Sequence, residues 1–292
     1  MTLEECRRFF AEEIRLAAHL TSSALVEAFA RVPREDFLGP GPWKVASADV
    51  GIGSVIYTAT ADADPRHVYH NVPIALDISR DLNNGQPGAL AHWIGALELK
   101  SGDRLFHLGC GVGYFTAVMA HVVGAQGRVL ASEVDPTLAT RARHNLLPYA
   151  NVELHAGDGA AIDPGECDAM LINAGVTHPL PLWLDRLREG GRIIVPLTVP
   201  MGPTLGKGVM ARITREPNGL SARVVTFVAI YSCTGARDPQ LEPLLTKALT
   251  SGGLMKLRSV RRDAHEPTET CVLHARDLCL STTALSVGQS AA

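Results

Sequence analysis

One short segment constrains the fold of this chain more than any other. Arg104-Leu105-Phe106-His107-Leu108 is an apolar run of strand length, Gly109-Cys110-Gly111-Val112-Gly113 is a turn, and a helical stretch follows from Phe115. Glycines at alternate positions let a ligand approach the backbone closely. The first turn of the helix leaves N–H groups without internal partners, ready for a polar ligand. A strand, a glycine turn and a helix in that order open an α/β fold with a nucleotide-like ligand at the strand end. The same triplet can also be a bare strand-to-helix turn, so its surroundings have to decide.

The next strand decides in favour of a ligand. Arg128-Val129-Leu130-Ala131-Ser132-Glu133 ends on an acid that lies twenty residues beyond Gly113, with Val134 next to it. That is the separation at which a carboxylate meets ribose hydroxyls in a βαβ nucleotide site. A third short strand, Val152–Ala156, runs into Gly157-Asp158-Gly159, where an acid can read an adenine amino group. A dinucleotide fold wants its third glycine one residue later, inside the helix. Here Tyr114 occupies the position after Gly113, which suits one nucleoside with an amino-acid tail better than a pyrophosphate. A nicotinamide-dependent oxidoreductase is disfavoured on the same ground.

Strands near 104–108, 128–132, 152–155, 168–173 and 191–196 alternate with helices near 88–98, 115–123, 136–146 and 180–188. Such alternation calls for a parallel sheet covered by helices on both faces. Gly208–Thr214 and Ala222–Ser232 read as an antiparallel hairpin around Pro217-Asn218-Gly219. Upstream, residues 3–33 have helical spacing, with Thr21 or Ser22 as a cap between two helices. Residues 39–87 are rich in Gly, Pro, Asp and Asn and read as an irregular, substrate-facing cover. Three regions result: N-terminal helices and cover over 1–87, the ligand-binding core over 88–235, and an extension over 236–292. The extension has a helix near Leu241–Leu249 and β character around Lys256–Arg261 and Thr270–Leu280, and its last dozen residues read as disordered.

The order of Gly-Cys-Gly-Val-Gly-Tyr, Ser132-Glu133, Gly157-Asp158-Gly159 and Leu187-Arg-Glu-Gly-Gly-Arg-Ile-Ile-Val-Pro196 resembles a class I S-adenosylmethionine-dependent methyltransferase. More narrowly, the chain resembles the protein-L-isoaspartate O-methyltransferase family over roughly residues 8–235. The narrower likeness rests on Val32-Pro33-Arg34-Glu35-Asp36-Phe37, on Tyr69, Asn71 and Pro73, and on Gly190-Gly191-Arg192 through Pro196. The resemblance implies a Rossmann-like α/β fold whose mostly parallel sheet ends in an antiparallel hairpin, with S-adenosyl-L-methionine as cofactor. It implies a cofactor site of Gly109, Cys110, Gly111, Gly113, Tyr114, Glu133, Val134, Gly157, Asp158, Gly159 and Asn173.

One position departs from the family pattern. The family's active-site loop carries a serine two residues before a proline. Here the loop reads Asp81-Leu82-Asn83-Asn84-Gly85-Gln86-Pro87, with Gly85 at the serine position. Asn83 and Asn84 can offer amide groups instead. His178, after the fourth strand, is a candidate base, because strand C-termini face the ligand crevice in such folds. Tyr69, His70 and Tyr114 are further substrate-side candidates, whereas His107 reads as a buried, satisfied histidine.

The expected reaction is O-methylation of a carboxylate on a peptide, a protein or a small natural product. A carboxylate is ionised at neutral pH and needs no base, whereas a phenol or amine profits from one. Two alternatives stay open: a catalytically silent S-adenosylmethionine-binding adaptor, and a small-molecule N/O-methyltransferase with another acceptor. The net charge of −3 and the absence of a basic cluster disfavour nucleic acid as a partner. No apolar run is long enough to span a bilayer and no signal peptide is visible, so a cytoplasmic protein is expected. Cys6, Cys110, Cys167, Cys233, Cys271 and Cys279 form no close pair, which points to free thiols and no metal. The oligomeric state leaves no trace in the sequence.

Overall fold

The computed structural model describes residues 1–46 and 56–286. Along the chain the helices are α1 (Leu3–Ala17), α2 (Ser23–Arg31), α3 (Pro87–Gly95), α4 (Tyr114–Val123), α5 (Pro136–Asn145), α6 (Pro181–Arg186) and α7 (Glu242–Thr250). The strands start with β1 (Lys44–Ala46), β2 (Tyr57–Ala59), β3 (Ala75–Asp77) and β4 (Leu82–Asn83), followed by β5 (Arg104–Leu108), β6 (Arg128–Glu133) and β7 (Val152–Ala156). The remainder are β8 (Cys167–Ile172), β9 (Leu187–Pro200), β10 (Leu205–Glu216), β11 (Gly219–Tyr231), β12 (Ser259–Arg261), β13 (Cys271–Ala275) and β14 (Leu278–Ser281). Contacts gather these elements into two compact units. The first holds residues 1–102 and 110–157, and the second holds 103–109 and 158–292.

In the first unit, β6 and β7 pair in parallel from Val129↔Val152 to Glu133↔Ala156. Helix α4 buries nine of its ten residues, so it is apolar around its whole circumference and sits inside the core rather than on it. Helix α1 starts on a capping box: Thr2 Oγ1 accepts from Glu5 N–H while the Glu5 carboxylate accepts from Thr2 N–H. Ser22 caps α2 by accepting from Leu25 N–H, which selects it over Thr21. The stretch expected to be irregular contains two short antiparallel pairs, β1–β2 and β3–β4. The expectation for 47–55 lies outside the described residues.

Arg34 organises this cover. It is wholly buried, and its guanidinium donates to the carbonyls of Val68 (2.6 Å), His70 (2.9 Å) and Val72 (2.9 Å). Its N–H donates to the Tyr69 hydroxyl at 3.0 Å, and that hydroxyl in turn donates to Glu35, which also pairs with Arg7. Burial drags the Arg34 guanidinium down to about 10, still far above neutral pH, so the group stays charged and its hydrogen bonds stay charge-assisted. The Val-Pro-Arg-Glu-Asp-Phe segment therefore pins residues 68–72 in place.

In the second unit, eight strands run in the order β13-β14-β12-β11-β10-β9-β8-β5. Only β5–β8 and β8–β9 are parallel, and every other neighbouring pair is antiparallel. The strands of this unit are thus parallel in the ligand-binding core and antiparallel from the hairpin onward. The parallel strands fall where the sequence puts them, but the extension adds β12, β14 and β13 beyond the expected hairpin. The hairpin β10–β11 turns at Pro217-Asn218, with Glu216 opposite Gly219. Strand β9 outruns its expected span of 191–196 in both directions: Pro200 still pairs with Gly206 of β10, and on the other side the pairing with β8 slips between Leu187 and Arg192, where Gly190 takes φ +73°.

Arg237 ties the start of the extension to this sheet. It donates to Gly175 O, Thr198 Oγ1 and Thr198 O, each at 3.2 Å, and pairs with Glu242 of α7 at 2.7 Å. The apolar side chains of Leu245, Leu254 and Leu257 are buried. Disorder was expected from about residue 281; residues up to Ser286 are described, Ser281 is the last residue of β14, and 287–292 lie outside the described residues. No helix among the described residues is long and apolar enough to cross a membrane.

Candidate functional site

The boundaries between the two units fall inside the glycine turn, at 109/110, and inside the second acidic turn, at 157/158. In the first unit, Cys110 N–H donates to Ser132 O at 3.0 Å, and Gly113 N–H closes the turn onto Cys110 O at 3.0 Å. Gly111 (φ +59°) and Gly113 (φ +94°) hold left-handed conformations that side chains resist. A Cβ at Gly113 would press Leu146 at 3.0 Å, so that glycine serves close packing. A Cβ at Gly111 would meet nothing within 4 Å, so that glycine borders open space. Gly113 is the N-cap of α4 and supplies no side chain, which leaves the first N–H groups of that helix to other acceptors.

Glu133 ends β6 and reaches back to this turn. Its Oε2 accepts from Gly111 N–H at 2.7 Å and its Oε1 from Asp135 N–H at 3.0 Å. Burial raises its pKa above the ordinary carboxylate value, and the two N–H donors pull the other way. Its neighbour Val134 is half exposed. Asp135 caps α5 through Thr137 and Leu138 and pairs with Arg80 at 2.7 Å. Gly157 N–H donates to Glu133 O at 2.8 Å, so the ends of β6 and β7 are joined at backbone level.

Tyr114 lies deeper than a site residue would. It is 2% exposed, its hydroxyl has no hydrogen-bond partner among the described residues, and its ring meets Phe29, Phe37 and Phe115 edge-on. Burial pushes its pKa well up. The Cys110 thiol is likewise buried and pushed up, which makes it inert rather than nucleophilic.

Asn83 and Asn84 turn their carbonyl oxygens to the cover itself, while Asn84 Nδ2 is buried with no hydrogen-bond partner among the described residues. Asn84 Oδ1 accepts from Ile74 N–H at 2.8 Å and lies 3.5 Å from Arg34. Asn83 Oδ1 accepts from Gly85 N–H at 2.9 Å, and its Nδ2 donates to the Tyr57 hydroxyl at 3.3 Å. Gly85 has φ +78°. Tyr69 is buried in the Arg7–Glu35 network, while His70 is exposed.

In the second unit, Asn173 binds the end of β5. Its N–H donates to Leu108 O at 2.8 Å and its Nδ2 to Gly109 O at 3.2 Å. Asp158 Oδ1 accepts from Ala160 N–H at 2.9 Å across Gly159. Its other oxygen lies where a Cβ on Gly235 would stand 2.0 Å away. Gly235, 77 positions downstream of Asp158, had no signal in the sequence. His178 Nδ1 is 2.9 Å from Thr177 Oγ1, which itself accepts from Asp238 N–H at 2.9 Å. Burial lowers the His178 pKa, with Asp238 pulling the other way. His107 is buried in β5 as expected, and burial holds it down to about 3.

Cysteine spacing gave no reason to expect metal ligation. The fold nonetheless gathers His265, Cys271, His274 and Cys279 with their ligand atoms within 4.8 Å of one another. Spacing missed the set because half of it is histidine.

Comparison with known proteins places these features. The family model for protein-L-isoaspartate (D-aspartate) O-methyltransferase matches residues 62–232. A protein-L-isoaspartate O-methyltransferase 2 of Anaeromyxobacter sp. is 32% identical over 232 residues, covering 78% of this chain and 84% of that protein. A protein-L-isoaspartate O-methyltransferase of Ignicoccus hospitalis is 28% identical over 232 residues, covering 78% and 96%. Among solved structures, a protein-L-isoaspartate O-methyltransferase superposes with a TM-score of 0.58 at 22% identity over 88% of this chain and 72% of that one. A Plasmodium falciparum beta-aspartate methyltransferase in complex with S-adenosyl-L-homocysteine gives 0.58 at 17% identity, covering 78% and 98%. By the extent of the family match and the similarity to the Anaeromyxobacter relative, the chain belongs to the protein-L-isoaspartate O-methyltransferase family.

Proposed function

We propose that this protein transfers the methyl group of S-adenosyl-L-methionine to a carboxylate of a peptide or protein, with an isoaspartyl side chain as the favoured acceptor. The observation that carries the reading is the Glu133 carboxylate fixed against Gly111 N–H beside open space, inside a chain of this family. A carboxylate held by two backbone donors still has lone pairs for a ribose diol. In this reading the cofactor residues are Cys110, Gly111, Gly113, Tyr114, Glu133, Val134 and Gly157 of the first unit and Gly109, Asp158, Gly159 and Asn173 of the second. Tyr114 would contribute by packing alone.

When bound, the cofactor supplies a strongly electrophilic methyl on a sulfonium. The protein's task is then to orient the acceptor in line and exclude water. An ionised carboxylate needs no proton removed, so the reading asks for no base. Asn83 and Asn84 act as positioning residues that hold the 83–87 loop. A soluble peptide or protein acceptor is the partner this reading requires.

The test is transfer of label from S-adenosyl-L-methionine to an isoaspartyl peptide, with the aspartyl peptide of the same sequence as control. Label in the isoaspartyl peptide alone is expected. Tight S-adenosyl-L-homocysteine binding with no transfer to either peptide would remove the acceptor assignment and leave the cofactor site standing.

A further inference from the structure

The extension that follows the family-matched region contains a second constellation, unconnected to methyl transfer. Strands β13 and β14 form a hairpin with Cys271 opposite Ser281, Leu273 opposite Leu280 and His274 opposite Cys279. Between Cys271 and Leu273 the register slips by one residue. That bulge has a geometric effect. Residues 271 and 274 would point to opposite faces of a regular strand, but their partners 281 and 279 are two apart and share one. The bulge therefore brings Cys271 and His274 to the same face as Cys279. His265 arrives from the loop after β12, with its ring edge-on to His274 at 4.8 Å between centroids.

We propose that His265, Cys271, His274 and Cys279 form a structural zinc site that staples the β13–β14 hairpin to the loop after β12. The donor set is two sulfurs and two imidazoles, which suits tetrahedral zinc and fills all four positions. All four ligand atoms lie within 4.8 Å of one another. Tetrahedral zinc with sulfur and nitrogen ligands sets such atoms about 3.3–3.8 Å apart. The cluster thus needs to close by about an ångström at its widest.

The surroundings fit a ligand role. His265 Nδ1 lies 2.8 Å from Asp263 O, so that nitrogen carries the proton and Nε2 offers its lone pair. Nε2 faces Cys271 Sγ at 3.5 Å. Cys271 Sγ accepts from Thr268 N–H at 3.2 Å, the kind of donor that supports a thiolate. His274 Nδ1 is buried with no hydrogen-bond partner among the described residues, an unusual state for an imidazole nitrogen. Cys279 is 1% exposed. Arg261, opposite Cys279 in the sheet, is neutralised by Asp263 at 2.5 Å. On ligation the two thiols release their protons to solvent, and two thiolates cancel the charge of the ion.

The full chain, produced in zinc-supplemented medium and purified under reducing conditions without chelator, should hold about one zinc per chain by elemental mass spectrometry. Cys271→Ser with Cys279→Ser should abolish it, while Cys233→Ser should keep it. Because the double variant could misfold, cobalt substitution of the unaltered protein provides the second readout. Intense visible d–d bands with thiolate charge-transfer absorption are expected. Zinc at background level together with only weak, octahedral cobalt bands would overturn the proposal. So would zinc retained in the double variant, or a Cys271–Cys279 disulfide in the reduced, zinc-replete preparation.

Discussion

Replacing Gly85 by serine supplies on paper the hydroxyl that the family resemblance leads one to expect at this position. The structure predicts that it will not restore function and will cost stability. Gly85 sits at φ +78°, where an L side chain is disfavoured by about 1–2 kcal/mol. Its new Cβ would stand 2.9 Å from Leu90 Cδ2, the free end of a side chain in α3. That neighbour can yield by a rotamer adjustment worth roughly 0.5 kcal/mol. The sum is about 2 kcal/mol, or several degrees of melting temperature for a chain of this size. Gly85→Ala carries the same backbone cost without the hydroxyl, so the two variants should melt within about a degree of each other. Thermal unfolding followed by circular dichroism, with S-adenosyl-L-homocysteine present and absent, makes the comparison. Label transfer to an isoaspartyl peptide should not rise in the serine variant. If the serine variant melts with the unaltered protein while the alanine variant falls, the hydroxyl has found a partner and the reasoning from φ is wrong.

Other outcomes follow from the same geometry. Glu133→Gln turns an amide N–H₂ against either Gly111 or Asp135 N–H, and S-adenosyl-L-homocysteine affinity by calorimetry should fall about 10- to 100-fold. Because burial raises the Glu133 pKa, affinity in the unaltered protein should begin to decline on acidification above the ordinary carboxylate range. Gly235→Ala would drive a methyl into Asp158 Oδ2 and should weaken S-adenosyl-L-homocysteine binding; unchanged calorimetric affinity would remove Asp158 from the site. His107 is held neutral down to about 3. The unfolded chain takes up that proton below about 6.5 and the folded chain does not, so stability is complete above that pH. It is lost on acidification at up to about 1.4 kcal/mol per pH unit, and denaturant titrations of His107→Gln should show a flatter acid limb.

Local chemistry was legible wherever it acts over short spacings. The glycine turn, Glu133 twenty residues on, the Ser22 cap and the Pro217-Asn218 turn each depend on neighbours in the chain, and each is present in the structure. What stayed hidden depends on register and long-range closure. The bulge after Cys271 is invisible to a period-two pattern, and it decides which side chains share a face. Gly235 touches Asp158 only because the chain returns there after the hairpin. The slip of β9 against β8 between Leu187 and Arg192 likewise left no mark on the pattern. Asn83 and Asn84 have the right chemistry for a site, and the sequence did not show that their carbonyl oxygens also hold the cover together.

The role of Arg34 bears on how such chains are told apart. Its guanidinium holds three carbonyls of the 68–72 segment. The Val-Pro-Arg-Glu-Asp-Phe stretch is thus a fastening that serves the architecture of the cover. A likeness that rests on this stretch therefore speaks for a shared scaffold, not for a shared acceptor.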